Sequence, residues 1–82
     1  MATGTVRYWA AAKEAAGVAE EPFSAETLGE LITQIARNPR IEQVLRRSSF
    51  LVDGAPAGLR DPATIDLPQG AVVEVLPPFA GG

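Results

Sequence analysis

An apolar run near the end of the sequence places the strongest constraint on the fold. Residues 71–76 read Ala-Val-Val-Glu-Val-Leu, with Glu74 as the single polar residue. Such a run is typical of a strand in the centre of a sheet. Pro77 and Pro78 follow at once, and they end the strand because proline has no backbone N–H to donate. The sequence therefore predicts a central last strand followed by a short tail.

Four earlier segments have the pattern of strands: residues 5–10, 18–23, 50–52 and 55–59. Pro22 indicates that the second of these lies at a sheet edge. Asp53-Gly54 predicts a hairpin turn between the third and the fourth. The fourth contains Pro56 and is expected to be a weak edge strand. Two apolar residues of the following loop, Ile65 and Leu67, are expected to fill the core from outside the sheet.

The main helix has the clearest start signal in the chain. Thr27 and Glu30 have the spacing of a capping box, in which each side chain accepts from the backbone N–H of the other residue. One apolar stripe follows, made of Leu28, Leu31, Ile32, Ile35 and Ala36. Asn38-Pro39 ends this helix. Shorter helices are expected at residues 11–16, ended by Gly17, and at residues 40–47, which bury Ile41, Val44 and Leu45.

This order of elements predicts an α+β roll, with one mixed sheet and one main helix packed across one face. Val6, Tyr8, Val73 and Val75 then point toward the helix. Four residues on the opposite, open face are predicted to bind a partner: Arg7, Trp9, Glu74 and Leu76. If the first and last strands are neighbours, Arg7 can pair with Glu74, and Trp9 can form an apolar patch with Leu76. The alternative is that Trp9 folds into the core or is covered by residues 11–17.

Composition excludes several kinds of site. The sequence has no Cys and no His, so it can form neither a thiolate metal site nor a Ser-His or Cys-His catalytic pair. The net charge is −3, and no aromatic residue lies among Arg37, Arg40, Arg46 and Arg47. We interpret these arginines as solvated helix ends rather than a nucleic-acid site. No stretch is apolar enough to span a membrane, and a cytoplasmic location is expected.

The final four residues, Phe79-Ala80-Gly81-Gly82, are predicted to form a flexible tail outside a domain of residues 1–78. The two glycines have no Cβ, so this end is thin, and it carries the terminal carboxylate. Such an end suits insertion into the active site of another protein, where the carboxyl group reacts. The alternative is an inert chain end of small residues.

Several features together resemble the MoaD/ThiS sulfur carriers, and most closely the MoaD branch, the small subunits of molybdopterin synthase. They are the element order, Trp9-Ala10-x-x-Lys13-Glu14-x-x-Gly17, Thr27-Leu28, Val52-Asp53-Gly54 and Leu76-Pro77-Pro78-Phe79-Ala80-Gly81-Gly82. The resemblance covers essentially the whole chain. The Pro-Pro-x-x-Gly-Gly ending is its most specific part and is typical of MoaD rather than ThiS. Trp9 and Lys13 depart modestly from the common residues of the family, Phe and Arg.

This resemblance implies a β-grasp, ubiquitin-like fold with adjacent, parallel first and last strands. It also implies that a ubiquitin-activating-like adenylyltransferase of the MoeB type uses ATP to adenylate the Gly82 carboxylate, which then becomes a thiocarboxylate. Gly81, Ala80 and Phe79 would thread into a large subunit of the MoaE type, where sulfur passes to a pyranopterin precursor of the molybdenum cofactor. The chain itself would bind no cofactor or metal and would be the non-catalytic subunit.

Three alternatives remain open from the sequence. The same carrier chemistry can serve another pathway, such as thiazole, cysteine or tRNA thiolation. The chain can be a ubiquitin-like modifier that forms isopeptide bonds through Gly82. It can also be a binding module with an inert tail.

Overall fold

The computed structural model describes residues 1–78. Its elements are β1 (Ala2–Tyr8), α1 (Ala10–Ala16), β2 (Glu20–Ala25), α2 (Leu28–Ile35), α3 (Pro39–Arg47), β3 (Ser49–Val52), β4 (Ala55–Pro56) and β5 (Val72–Leu76), with a 3-10 turn at Pro62–Thr64. The predicted tail, residues 79–82, lies outside the described residues. No helix within residues 1–78 is both long and apolar enough to cross a membrane.

The five strands form one mixed sheet in the order β2-β1-β5-β3-β4. β5 lies at the centre, as its apolar sequence predicts. It runs parallel to β1, with Arg7 opposite Glu74, and antiparallel to β3, with Leu51 opposite Glu74. β2 and β4, which contain Pro22 and Pro56, form the two edges. This is the β-grasp topology, with its first and last strands adjacent and parallel.

The helices cover one face of this sheet. Side chains along β1 and β5 therefore alternate between buried positions beneath the helices and more exposed positions on the opposite face. Val6, Val73 and Val75 are completely buried, and Tyr8 is nearly so. Leu28, Leu31 and Ile35 of α2 and Ile41 and Leu45 of α3 complete the same core, together with Ile65 and Leu67 from the loop before β5. The predicted apolar stripe of α2 and the predicted burial of Ile65 and Leu67 are therefore confirmed.

Side-chain caps fix where the two larger helices begin. The Thr27 hydroxyl accepts a hydrogen bond from the Glu30 N–H at 3.1 Å. The return bond of the capping box, from the Thr27 N–H to the Glu30 carboxylate, does not form in the described structure. Asn38 caps α3 by accepting from the Ile41 N–H at 3.0 Å, with Pro39 in the first helical position.

The predicted limits of the first two strands were wrong by a few residues. β1 begins at Ala2 because its first residues pair with the end of β2, with Ala2 opposite Ala25. It ends at Tyr8, and Ala10 belongs to α1 rather than to the strand. β2 begins at Glu20 instead of Val18, since Gly17 adopts a left-handed conformation that ends α1 and redirects the chain.

The helix stripe can be tested by its effect on stability. We expect Leu31→Ala to reduce the free energy of unfolding by about 2–5 kcal/mol, because it leaves a cavity in the core. Thr27→Ala removes one cap and should cost about 1 kcal/mol. Exposed Gln43→Ala serves as the control and should change stability by less than about 0.5 kcal/mol. If denaturant melts gave Leu31→Ala and Gln43→Ala the same free energy of unfolding, this assignment of the core face would be wrong.

Candidate partner-binding surface

The face of the sheet opposite the helices carries the four residues predicted to bind a partner. Arg7 and Glu74 lie opposite each other on the parallel strands β1 and β5. Trp9 follows directly after β1 and is 42% exposed, so it neither folds into the core nor is covered by α1. Leu76, at the end of β5, is half-buried. The structure therefore brings all four to one end of one surface.

The predicted ion pair between Arg7 and Glu74 does not form. The Glu74 carboxylate instead accepts a hydrogen bond from the indole Nε1–H of Trp9 at 3.2 Å. The Arg7 guanidinium lies 5.4 Å from the centre of the Trp9 ring, and its Nε is 3.7 Å from Oε1 of Glu20 on β2. Because β1 lies between β2 and β5, Arg7 has a carboxylate on each side. It forms its ion pair with Glu20, while Glu74 accepts the hydrogen bond from the indole of Trp9.

This arrangement holds the indole in place at the rim of the sheet. The backbone N–H of Trp9 donates a hydrogen bond to the Val75 carbonyl at 3.2 Å. The chain then turns at Ala10, which has a φ of 47°. A positive φ is unfavourable for alanine, so surrounding contacts must maintain it. The abrupt turn sends α1 to the covered face and leaves Trp9 on the open one.

Two apolar residues of the open face were missed by the sequence analysis. Leu51 on β3 is opposite Glu74, and Pro56 on β4 is opposite Leu51. Residues opposite each other share a face, so both extend the surface beyond Leu76. Val72 is 37% exposed on the same face. The pairing of β3 with β5 was needed to find them, and no local signal gives that register.

A broad, shallow groove adjoins Trp9. It has a volume of about 1010 Å³ and lies between the end of β1, α1 and the segment before β2. Its lining includes Lys13 and Glu14 of α1 and Val18, whose side chain is 42% exposed. Tryptophan is enriched at protein interfaces, so exposed apolar surface beside Trp9 suits contact with a partner, with Lys13 and Glu14 at its polar rim.

Hydrogen bonds among Tyr8, Glu21 and Arg37 connect the edge strand β2 to β1 and to the helices. The Tyr8 hydroxyl donates to the Glu21 carboxylate at 2.5 Å. Arg37 donates to the same carboxylate at 2.8 Å and to the Ala16 carbonyl at the end of α1 at 3.1 Å. Burial, and then the Glu21 carboxylate, raise the pKa of Tyr8 well above its ordinary value, while Glu21 raises the pKa of Arg37. Arg37 is exposed just after the end of α2, as the sequence predicted, and these two hydrogen bonds add a structural role that the sequence did not indicate.

β5 leads directly from this surface to the end of the chain. After Leu76, Pro77 is buried and Pro78 is exposed. The predicted reactive residue Gly82 and the predicted threading residues Gly81, Ala80 and Phe79 lie outside the described residues. No group of three Asp or Glu side chains within residues 1–78 is arranged to hold a metal ion.

Comparison with known proteins agrees with this fold. The small archaeal modifier protein SAMP1 of Methanosarcina acetivorans has a similar structure, with a TM-score of 0.85 at 23% identity over 100% of this chain and 98% of that one. A putative molybdopterin converting factor subunit 1 of Pyrococcus furiosus gives 0.75 at 24% identity over 96% and 100%. The complex of subunits 1 and 2 of the molybdopterin-converting factor of Helicobacter pylori contains a chain that gives 0.73 at 22% identity over 98% and 99%. No curated protein matches the chain.

The fold is thus that of the β-grasp, ubiquitin-like proteins. The sequence model of the ThiS family matches residues 6–82, which is nearly the whole chain. The protein belongs to the ThiS family, and the resemblance to MoaD/ThiS proteins drawn from the sequence is confirmed.

The environment of Tyr8 predicts how stability depends on pH. The protein has a single tyrosine, whose folded-state pKa is raised above its ordinary value of about 10. The folded state therefore holds its proton more tightly than the unfolded state. Stability should fall as the pH rises above about 10, by up to about 1.36 kcal/mol per pH unit.

This can be measured by ultraviolet titration of the phenol and by denaturant melts between pH 9 and pH 11 (~1 unit on each side of the ordinary value). Tyr8→Phe is the matched control and should lack this component of the pH dependence. A phenol that ionises with a midpoint near 10, or a Tyr8→Phe variant with the same pH dependence, would contradict the assignment.

Proposed function

We propose that this protein is a sulfur carrier and the small subunit of molybdopterin synthase. Its terminal Gly82 carboxylate is adenylated by a MoeB-type enzyme that uses ATP, and the adenylate is converted to a thiocarboxylate. The charged tail then enters a MoaE-type large subunit and donates sulfur to the pyranopterin precursor. The chain acts as a carrier and supplies no catalytic side chain of its own.

The observation that carries this proposal is the ending Pro77-Pro78-Phe79-Ala80-Gly81-Gly82 on a ThiS-family chain. The match to the family runs through the last glycine, so the ending is part of the family pattern. The structure supports the proposal by placing the start of this ending at the edge of an exposed Trp9 surface. The similar chains from Pyrococcus furiosus, a putative molybdopterin converting factor subunit, and from the molybdopterin-converting factor of Helicobacter pylori are consistent with the proposed pathway.

The chemistry requires only a free carboxylate at the end of the chain. A carboxylate oxygen attacks the α-phosphate of ATP and releases pyrophosphate, which leaves an acyl-adenylate. A sulfur nucleophile then displaces AMP, which is a far better leaving group than oxide. If the nucleophile is sulfide, the thiocarboxylate forms directly. If it is a persulfide, the product is an acyl disulfide, and a second thiol of the sulfur donor attacks its S–S bond, so that the donor is left with a disulfide and the thiocarboxylate is released as a nucleophile at neutral pH. All acid–base groups and the magnesium for these steps reside on the partners.

A second candidate uses the same activated carboxyl group. The likeness to the small archaeal modifier protein SAMP1 favours a ubiquitin-like modifier over an inert binding module. In that case a lysine amine, rather than sulfur, displaces AMP and forms an isopeptide bond. The chemical fate of the Gly82 carboxyl group distinguishes the two functions.

We expect the open face to bind the large subunit or the activating enzyme. Trp9→Ala should weaken binding by about 2 kcal/mol, or about 30-fold, as is common for a central interface tryptophan. Leu76→Asp should also weaken binding, because it places a charge in the apolar surface. Leu59→Asp is the matched control, since Leu59 is fully exposed and lies away from this face. Calorimetry that gives wild-type affinity for both Trp9→Ala and Leu76→Asp, with unchanged melts, would rule out this surface.

The carrier function makes the length of the tail critical. Deleting Gly82 withdraws the carboxylate by up to about 3.5 Å. A displacement well beyond 1 Å should reduce the rate of adenylation by at least about 100-fold. Adding one residue should be equally harmful, and a bulky residue at position 81 should hinder threading with the carboxylate intact. None of these changes should alter the thermal melt, since the folded core lies within residues 1–78.

The measurement is the intact mass after incubation with the activating enzyme, ATP and a sulfur donor. The wild-type chain should exchange one terminal oxygen for sulfur. If the variant that lacks Gly82 acquires sulfur at the wild-type rate, the proposed carrier function is wrong. The tail would then be interpreted as inert. Attachment to lysine without any sulfur uptake would favour the modifier function.

A further inference from the structure

A second groove lies where the described chain ends, on the helical side of the sheet. It has a volume of about 480 Å³, and both Pro77 and Pro78 line it. Its other walls are Ala11 of α1 and one side of α3, including Arg40, Val44 and Arg47. Pro77 is buried and Pro78 is exposed, so the described part of the chain ends in the wall of this groove. Any protein that takes up the tail must approach these residues.

The groove is basic although the chain carries a net charge of −3. Arg40, Arg46 and Arg47 all line it, and no acidic side chain of residues 1–78 does. Arg46 pairs with Glu42 at 2.9 Å, one turn away on the same helix. Arg40 and Arg47 are exposed, and no carboxylate side chain of residues 1–78 forms an ion pair with either of them.

The position of Arg40 does not serve the fold. It occupies the first turn of α3, whose N-terminus carries the positive end of the helix dipole, where a cation is unfavourable. Arg46 and Arg47, by contrast, lie in the last turn, where the dipole favours them. Arg40 and Arg47 are seven residues apart and share one side of the helix with Val44. The helix therefore presents, at each end of the side that faces the diproline, a cation that has no ion-pair partner within residues 1–78.

We propose that this groove, defined by Arg40, Arg47, Pro77 and Pro78, docks an acidic surface of the adenylating enzyme beside the opening that receives the tail. The inference rests on the proposed carrier function and names a second surface for its first partner. An acidic carrier that ends in a carboxylate is repelled by an acidic partner, and local cations beside the tail offset that repulsion. Such cations raise the association rate and orient the tail toward the opening.

The test compares Arg40→Glu and Arg47→Glu with Arg60→Glu in the full-length chain. Arg60 is also exposed, forms no ion pair within residues 1–78 and lies outside the groove, so it controls for the change in net charge. Glutamate suits the first turn of a helix, so Arg40→Glu should fold at least as well as the wild type. The partner is the ubiquitin-activating-like adenylyltransferase encoded in the same genome, and the readout is its affinity for the carrier at low and high salt.

We expect Arg40→Glu and Arg47→Glu each to weaken binding about tenfold at low salt, mainly through the association rate. The loss should shrink at high salt, where such charges are screened. Arg60→Glu should bind nearly as the wild type does. Wild-type affinity in both groove variants, an equal loss in Arg60→Glu, a loss that salt does not change, or a wild-type chain that does not bind this enzyme would each overturn the proposal.

Binding is measured without sulfur transfer, so the two hypotheses fail separately. A wild-type chain that binds through the groove but never acquires sulfur would reject the carrier function and leave the docking surface standing. A wild-type chain that acquires sulfur, with groove variants that bind normally, would support the carrier function and reject the docking surface.

Discussion

The structure depends on the position of β5 between a parallel and an antiparallel neighbour. Its backbone pairs with β1 on one side and β3 on the other, so its side chains alternate strictly between two faces. Val73 and Val75 are completely buried beneath the helices, while Val72, Glu74 and Leu76 lie on the open face. A shift of one residue in this pairing would exchange the two sets and expose the core. The same ladder that builds the core therefore builds the partner-binding surface.

The central position of β5 also determines where the chain ends. Pro77 is buried in the groove between α1 and α3, and Pro78 is exposed beside it. The end of β5 is thus bordered by the Trp9 surface on one side of the sheet and by the basic groove on the other. The fold presents two chemically different surfaces around the base of the chain end that we propose to react. Such an arrangement suits the proposed carrier function, because partners could bind the folded domain while they act on the carboxyl group.

The sequence predicted the elements whose signals are local. The apolar run of β5, the Thr27 cap, the α2 stripe and the Asp53-Gly54 turn each depend on a few consecutive residues, and each was found in the structure. Asp53 and Gly54 both have positive φ, as a tight hairpin turn requires. The Pro-Pro-x-x-Gly-Gly ending indicated the family because it is specific and needs no tertiary information.

Features that depend on contacts between distant segments could not be predicted in this way. β1 begins early because Thr3 is held by Gln69 and Gly70, more than sixty residues away. The choice of Glu20 over Glu74 as the partner of Arg7 depends on which carboxylate the β2 register places beside it. The arginines of α3 were interpreted as solvated helix ends because only the tertiary structure places them in one groove with the diproline.

We propose that this fold presents a carboxyl group for sulfur activation. The most direct test is the chemical state of the C-terminus in the protein isolated from its native cells, read by mass spectrometry of the intact chain and of its terminal peptide. The account predicts a population in which Gly82 ends in a thiocarboxylate, with one oxygen replaced by sulfur. A terminus found only as an unmodified carboxylate, or only as an amide bonded to lysines of other proteins, would contradict it.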